Sequence, residues 1–213
     1  SKGRLRFLNR EECMQLLKAC EEVKPQNATQ FSPMTLKAFI ATALFTGCRL
    51  SEVFHLEWID LDRESGTCRI EPKAQYGFRT KSGKDRTVGV NPDLFDVLDE
   101  YQKDRLNRLS EAEDRLRKLE LWQQLRAEAK APPPDLVPVE MQKYETHPSM
   151  QKLMANVRGL IVSLKLQIES PLIFPSPVTG DPITTIPKGF EEAVRKAGLK
   201  ESGVTFHTLR HTY

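Results

Sequence analysis

Three well-separated segments carry side chains that could act together on a phosphodiester. His207 and Arg210 lie three residues apart in the segment HTLRH, a spacing that places both side chains on one face of a helix. Arg49 stands in the segment TGCRLSE, and Lys81 opens the Gly-containing turn KSGK. A guanidinium can hold a phosphate through two parallel hydrogen bonds, and an imidazole can accept or donate a proton. The set therefore indicates phosphate chemistry.

The chemistry we infer is displacement of an ester oxygen from the phosphorus of a phosphodiester. This reaction adds negative charge to the non-bridging oxygens, which fixed cations stabilise, and it needs an acid to protonate the leaving oxygen. Each residue also has an ordinary alternative when considered alone. Arg49 could form a surface ion pair with Glu52 or Glu57, Lys81 could belong to a basic turn, and His207 could cap a helix.

Composition sets only broad limits. The chain has 213 residues, of which 29% are charged and 39% hydrophobic, with a net charge of +3. This mildly basic balance permits a nucleic-acid partner without requiring one. No apolar run approaches the length that a membrane span needs. We expect no metal site, because no CxxC pair or His cluster accompanies the cysteines. We expect all four to be free thiols in a reducing compartment, and they are Cys13, Cys20, Cys48 and Cys68.

The sequence pattern predicts a mainly α protein with a small three-stranded antiparallel sheet, an α+β fold. Asn9 and Glu12 are predicted to form a capping box at the start of the first helix. An apolar helix is expected to end at Gly47. Ser51 is expected to cap a third helix, from Glu52 to about Trp58. Further helices are expected at about 92–131, 148–168 and 187–197, with a last helix from about His207. The predicted strands are 59–62, 67–70 and 86–90. Loops are expected at 24–33 and 171–182.

The segment TGCRLSE resembles the first active-site box of the tyrosine recombinases, the phage-type integrases. It matches every specified letter of the family pattern T-G-x-R-x-S-E. The resemblance implies that Arg49 contacts the scissile phosphate and that Glu52 orients Arg49. It also implies an integrase-like catalytic-domain fold.

Two further segments resemble the same family. The segment from Lys81 to Val90 is similar to the β-hairpin whose turn holds the general-acid lysine; the matching position is Lys81, with Lys84 as the alternative. The segment HTLRH resembles the box H-x-L-R-H, which implies that Arg210 is the second phosphate clamp, that His207 handles protons, and that the next His in the box, His211, is mainly structural.

The resemblance implies a DNA strand-cleaving and rejoining enzyme that works through a 3′-phosphotyrosyl intermediate. The expected partner is double-stranded DNA, on which the intact protein is expected to form a homo-oligomer, the tetrameric synapse of the family. The expected location is the cytoplasm, in association with the nucleoid, and neither a membrane partner nor a metal or nucleotide cofactor is expected. A non-catalytic DNA-binding or assembly module of the same fold, and a type IB topoisomerase, are the alternatives.

The chain also departs from the family pattern. The family's nucleophilic Tyr follows a later box, so Tyr213 is not expected to be the nucleophile, and a chain ending there is expected to bind DNA without cleaving it. We expect residues 1–213 to be a catalytic-domain fragment without the N-terminal core-binding domain. The region 101–170 is expected to be a helical insertion, which either contacts a partner or packs on itself as a hairpin.

Overall fold

The computed structural model describes residues 6–24, 32–128 and 147–212, with side chains from residue 150 onward in the last range. The described part is mainly helical with one small antiparallel sheet, as the sequence predicts. In chain order the elements are α1 (Arg10–Glu21), α2 (Pro33–Thr46), α3 (Leu50–Phe54), β1 (Leu61–Asp62), β2 (Thr67–Ile70), β3 (Arg86–Gly89), α4 (Asp93–Ala127), α5 (His147–Glu169), α6 (Phe190–Lys196) and α7 (Phe206–Thr212).

Helix α2 forms the centre of the main hydrophobic core. It is apolar on all sides, which is typical of a helix surrounded by other elements, and α1, α3, α4 and α7 pack against it. The Phe39 ring is fully buried and contacts the rings of Phe54, Phe174 and Phe206 at centroid distances of 5.9, 5.1 and 5.4 Å. Helix α2 ends at Gly47, whose φ of 60° suits a residue without a Cβ. Helices α3 and α7, which lie next to the candidate site, therefore both pack against α2.

Helix α3 differs from the prediction. It begins at Leu50 after Arg49, because the Glu52 carboxylate accepts a hydrogen bond from the backbone N–H of Arg49 at 2.7 Å. Ser51 is therefore inside the helix and does not cap it. The helix also stops at Phe54 and does not reach Trp58. Backbone groups just beyond it pair instead with residues 171–173, through hydrogen bonds of 2.9 Å from Trp58 N to Pro171 O and from Ile173 N to Leu56 O.

The sheet has the order β1–β2–β3, with both pairings antiparallel. Its first strand is shorter than predicted, because residues 58–60 form a turn of 3₁₀ helix. The Asp60 carboxylate accepts a hydrogen bond from Glu57 N at 2.8 Å and closes that turn. The connection between β2 and β3 contains Lys81, so this hairpin carries the candidate general acid.

The first half of that connection is held by a buried ion cluster. The Lys73 ammonium donates to Glu57 Oε2 at 2.7 Å, to Asp60 Oδ1 at 2.8 Å and to Glu71 Oε1 at 3.2 Å. Burial favours the neutral amine, but these carboxylates outweigh it and raise the pKa of Lys73 above its usual range. Lys73 therefore fixes the long connection against the 3₁₀ turn.

Helices α4 and α5 form an antiparallel hairpin with a separate hydrophobic cluster. Ion pairs from Glu120 to Arg158 and from Glu113 to Lys165 connect the two helices and show that they run in opposite directions. The cluster is formed by Ala112, Leu119, Met150, Met154, Val157 and Ile161. The region expected as an insertion therefore packs on itself, while a partner contact there stays a prediction.

Most local signals elsewhere are confirmed. The capping box of α1 is present, with Asn9 and Glu12 each accepting from the other's backbone N–H, and all four cysteines are free. Helix α6 begins at Phe190, later than predicted, and α7 begins one residue earlier, at Phe206. The predicted loop at 24–33 falls mostly outside the described residues, as do Pro132 to Pro134 and Tyr213. Each helix of the described ranges is either too short or too polar to span a bilayer.

Candidate active site

The three sequence segments meet around one open pocket of about 630 Å³. Arg49, Lys81, His207 and Arg210 all line it, together with His211. The other lining residues are Cys48, Leu50, Ser51, Phe54 and Phe206. None of these described lining residues is acidic, so the wall presents positive charge to whatever enters. The pocket therefore suits an anion.

Helix α7 is held so that one face meets the core and another meets the pocket. Phe206 and Leu209 are buried against the main core, whereas His207, Arg210 and His211 line the pocket. The helix is also fixed at its far end, because Leu8 N donates to Thr212 Oγ1 at 3.0 Å. The spacing of these residues thus has the consequence predicted from helical periodicity.

Arg49 lies at the start of α3 and is oriented by Glu52. Its Nη1 donates to Glu52 Oε1 at 3.0 Å, while its backbone N–H donates to Glu52 Oε2 at 2.7 Å. The Arg49 side chain remains 39% exposed, whereas that of Glu52 is only 1% exposed. The carboxylate is therefore buried behind the guanidinium, which can still reach a ligand in the pocket.

Arg86 is a second arginine at this carboxylate, and no sequence motif singled it out. Its Nη1 and Nη2 donate to Glu52 Oε1 and Oε2 at 2.8 and 2.7 Å. Burial alone would raise the pKa of Glu52, but the hydrogen bonds from Arg86 and Arg49 outweigh it and lower the pKa to about 2. The sequence offered one signal, the two-residue periodicity of β3, which places Arg86 on the same face of the strand as the hydrophobic Val88.

Arg210 has an unsatisfied donor. Its Nη1 is buried, and no acceptor for it lies among the residues that the structure describes. Burial and the nearby Arg49 guanidinium lower the pKa of Arg210 below its usual value. A buried N–H group without an acceptor is costly, and more so when it is charged. An anion bound between Arg49 and Arg210 would supply the acceptor and reduce the repulsion.

The two lysines of the turn have different surroundings. Lys81 lines the pocket, whereas Lys84 is absent from the described wall residues. The backbone oxygen of Lys84 accepts a hydrogen bond from Thr80 Oγ1 at 2.8 Å. Gly83 N also donates to Thr80 O at 3.0 Å and closes the turn. The geometry favours Lys81 over Lys84 as the residue that meets a ligand.

His207 and His211 contact each other on the pocket wall. Their Nε2 atoms lie 2.8 Å apart, and the rings are nearly perpendicular. A hydrogen bond at this distance requires one of the two nitrogens to carry a proton and the other to be bare. Phe7 packs edge-on against the His211 ring at 6.4 Å. His211 thus contacts both His207 and Phe7, and a mainly structural role for it stays a prediction.

Comparisons with known proteins found matches among solved structures and protein families but not among curated sequences. No curated protein sequence matches this chain. Two solved structures of the XerH site-specific recombinase share its fold, one bound to palindromic difH substrate after cleavage and one bound to difH substrate before cleavage. Both are 18% identical to this chain, with TM-scores of 0.52 and 0.51, and the matches cover 98% and 97% of it. The chain spans 40% of the length of each XerH chain.

A family-level sequence match covers almost the whole chain. The description of the matching family is the phage integrase family, and the match extends over residues 6–213. It includes the segments that hold Arg49, Lys81 and Arg210. On this match and the shared fold, the chain belongs to the phage integrase family of tyrosine recombinases.

Proposed function

We propose that the pocket binds a DNA phosphodiester and that the intact protein cleaves and rejoins DNA strands at it, as a site-specific recombinase. The observation that carries the proposal is the convergence of Arg49, Lys81, His207 and Arg210 on one pocket whose described wall residues include no carboxylate. The Nη1 of Arg210, for which the described residues offer no acceptor, supports it, because a bound anion would satisfy this buried donor. DNA as the partner is also supported by the XerH structures, which are complexes of that recombinase with difH substrate.

The proposed reaction is an exchange of phosphate esters. A tyrosine oxygen attacks phosphorus, the bond from phosphorus to O5′ breaks, and the products are a 3′-phosphotyrosine and a 5′-hydroxyl. Arg49 and Arg210 hold the non-bridging oxygens, whose charge increases in the transition state. Lys81 gives its proton to O5′, and His207 receives the proton of the tyrosine. One phosphodiester replaces another, which conserves its bond energy, so the reverse steps can rejoin the strands.

The nucleophile is a separate part of the proposal. By family resemblance it lies on a later segment than the HTLRH box, and Tyr213 follows Arg210 by only three residues. A chain ending at Tyr213 should therefore form no covalent adduct with a nicked suicide duplex. Cleavage is to be assayed with the full protein encoded by the native gene. A stable adduct through Tyr213 would contradict this part of the proposal.

The role of Lys81 can be tested with a modified substrate. Lys81→Ala in the full protein should abolish cleavage of an ordinary suicide duplex, because the alkoxide leaving group needs a proton. A duplex with sulfur in place of O5′ should restore cleavage, since a thiol has a far lower pKa than an alcohol. Lys84→Ala serves as the matched control and should cleave both duplexes. Equal loss in both lysine variants, or no rescue by sulfur, would reject Lys81 as the acid.

A further inference from the structure

Arg86 and Arg49 share a single buried carboxylate. Oε1 of Glu52 accepts from Nη1 of both arginines, and Oε2 accepts from Arg49 N and Arg86 Nη2, all at 2.7–3.0 Å. The four contacts occupy the four lone-pair sites that a carboxylate offers. Glu52 is thus fixed from two directions, by the start of α3 and by strand β3.

The charges of this group explain why two arginines are useful. A lone Arg49–Glu52 pair would be neutral, so the carboxylate that orients Arg49 would also cancel its attraction for a phosphate. Arg86 places both of its terminal nitrogens on Glu52, and the three residues together carry a net charge of +1. Glu52 can then hold Arg49 in place while Arg49 still acts as a cation.

The position of Arg86 in the chain adds a mechanical link. Arg86 begins β3, five residues after Lys81. Its fork to Glu52 therefore ties the base of the Lys81 turn to the helix start that carries Arg49. A lysine at this position would keep the charge but could not make the two-pronged contact.

We propose that Arg86 is a positioning residue of the site: it neutralises Glu52, which leaves Arg49 free to attract phosphate, and it fixes the Lys81 hairpin against α3. This inference rests on the proposed function, in which Arg49 contacts a DNA phosphate. Arg86 itself acts through Glu52 and Arg49.

The test compares Arg86→Met and Arg86→Lys with Arg69→Met. Arg69 is a matched control on the neighbouring strand, because it is exposed and pairs with Glu71 and Asp85. Duplex DNA binding by the 213-residue chain is measured at several salt concentrations. Arg86→Met should flatten the salt slope by about one, as loss of one phosphate-binding charge does, and Arg69→Met should change it less. Arg86→Lys should keep the slope but weaken binding.

A double variant distinguishes the loss of charge neutralisation at Glu52 from a structural defect. Adding Glu52→Gln to Arg86→Met removes the uncompensated carboxylate, so the salt slope should return to the wild-type value even where affinity stays lower. A merely structural defect would not be rescued in this way. In parallel, carbon NMR should show the pKa of Glu52 rising in Arg86→Met. An unrescued slope, or an unchanged Glu52 pKa, would overturn the proposal.

The salt slopes of Arg49→Ala and Arg86→Met distinguish a failure of the Arg86 proposal from a failure of the proposed function. If Arg49→Ala flattens the salt slope and Arg86→Met does not, the role of Arg86 is refuted and the phosphate site survives. If Arg49→Ala leaves the slope unchanged, the proposed function fails, and the inference about Arg86 fails with it. Arg86→Lys preserves the charge at Glu52, so it keeps the test decisive if Arg86→Met does not fold.

Discussion

At the scale of single residues, the site is organised by one carboxylate and one unsatisfied guanidinium. Glu52 is buried and ionised because two arginines surround it. Arg210 keeps a buried Nη1 for which the described residues offer no acceptor. The first arrangement stabilises the fold, while the second costs stability unless a ligand binds. Such a local cost is expected where structure serves binding.

The first prediction concerns Glu52→Gln. The pKa of Glu52 is lowered from 4.5 to about 2 in the folded chain, so its ionised form stabilises the fold above the unfolded pKa. That contribution is lost as pH falls from about 5 toward 2 and amounts to about 3 kcal/mol. Urea unfolding from pH 7 to pH 3 should show wild type and Glu52→Gln converging as pH falls. A difference independent of pH would contradict the ionised state of Glu52.

The residue types of the site could be predicted from sequence, but their partners could not. Helical spacing places His207 and Arg210 on one face, and the TGCRLSE segment suggests the pairing of Arg49 with Glu52. The contact between Glu52 and Arg86 spans 34 positions, and it depends on how β3 lies against α3. No local pattern encodes that distance.

At the scale of elements, several helix boundaries differ from those that the local sequence predicts, and tertiary hydrogen bonds explain part of the difference. Ser51 is a good cap by residue type, yet Glu52 accepts the Arg49 N–H and starts α3 earlier. The predicted extension to Trp58 is lost because that backbone pairs with Pro171. By contrast, the capping box at Asn9 and the left-handed Gly47 depend on neighbouring residues alone, and both were predicted correctly.

The second prediction concerns the connection that carries Lys81. Lys73→Met should lower the free energy of unfolding by about 3–5 kcal/mol, because it leaves Glu57 and Asp60 without their buried cation. Lys84→Met removes a charge from the exposed turn and should change stability by less than about 0.5 kcal/mol. Urea unfolding at pH 7 measures both. Equal effects of the two variants would show that the Lys73 cluster does not hold the connection.

The third prediction concerns the α4–α5 hairpin. Leu119 is fully buried in its separate cluster, so Leu119→Ala should destabilise the protein by about 2–5 kcal/mol through the cavity left behind. Leu121→Ala, at an exposed position of the same helix, should have little effect on thermal unfolding. Neither variant should alter the salt slope of DNA binding, because neither residue lines the pocket. An altered slope would give the hairpin a direct part in the site.

At the scale of the whole molecule, the pocket collects several cationic side chains although the net charge is small. The chain carries a net charge of +3, which by itself says little about a partner. Around the pocket, however, Arg49, Lys81 and Arg210 meet with no acidic residue among the described wall residues. Composition could not predict this arrangement, since it arises from three segments that α2 and the sheet bring together.

The central claim is that Arg49 and Arg210 bind one DNA phosphate, and the salt dependence of duplex binding tests it most directly. Arg117→Ala is the matched control, because Arg117 is exposed on α4 and pairs with Asp114. Arg49→Ala and Arg210→Ala should each weaken binding and flatten the slope of log affinity against log salt by about one relative to Arg117→Ala. Slopes that match the Arg117→Ala control would contradict the account.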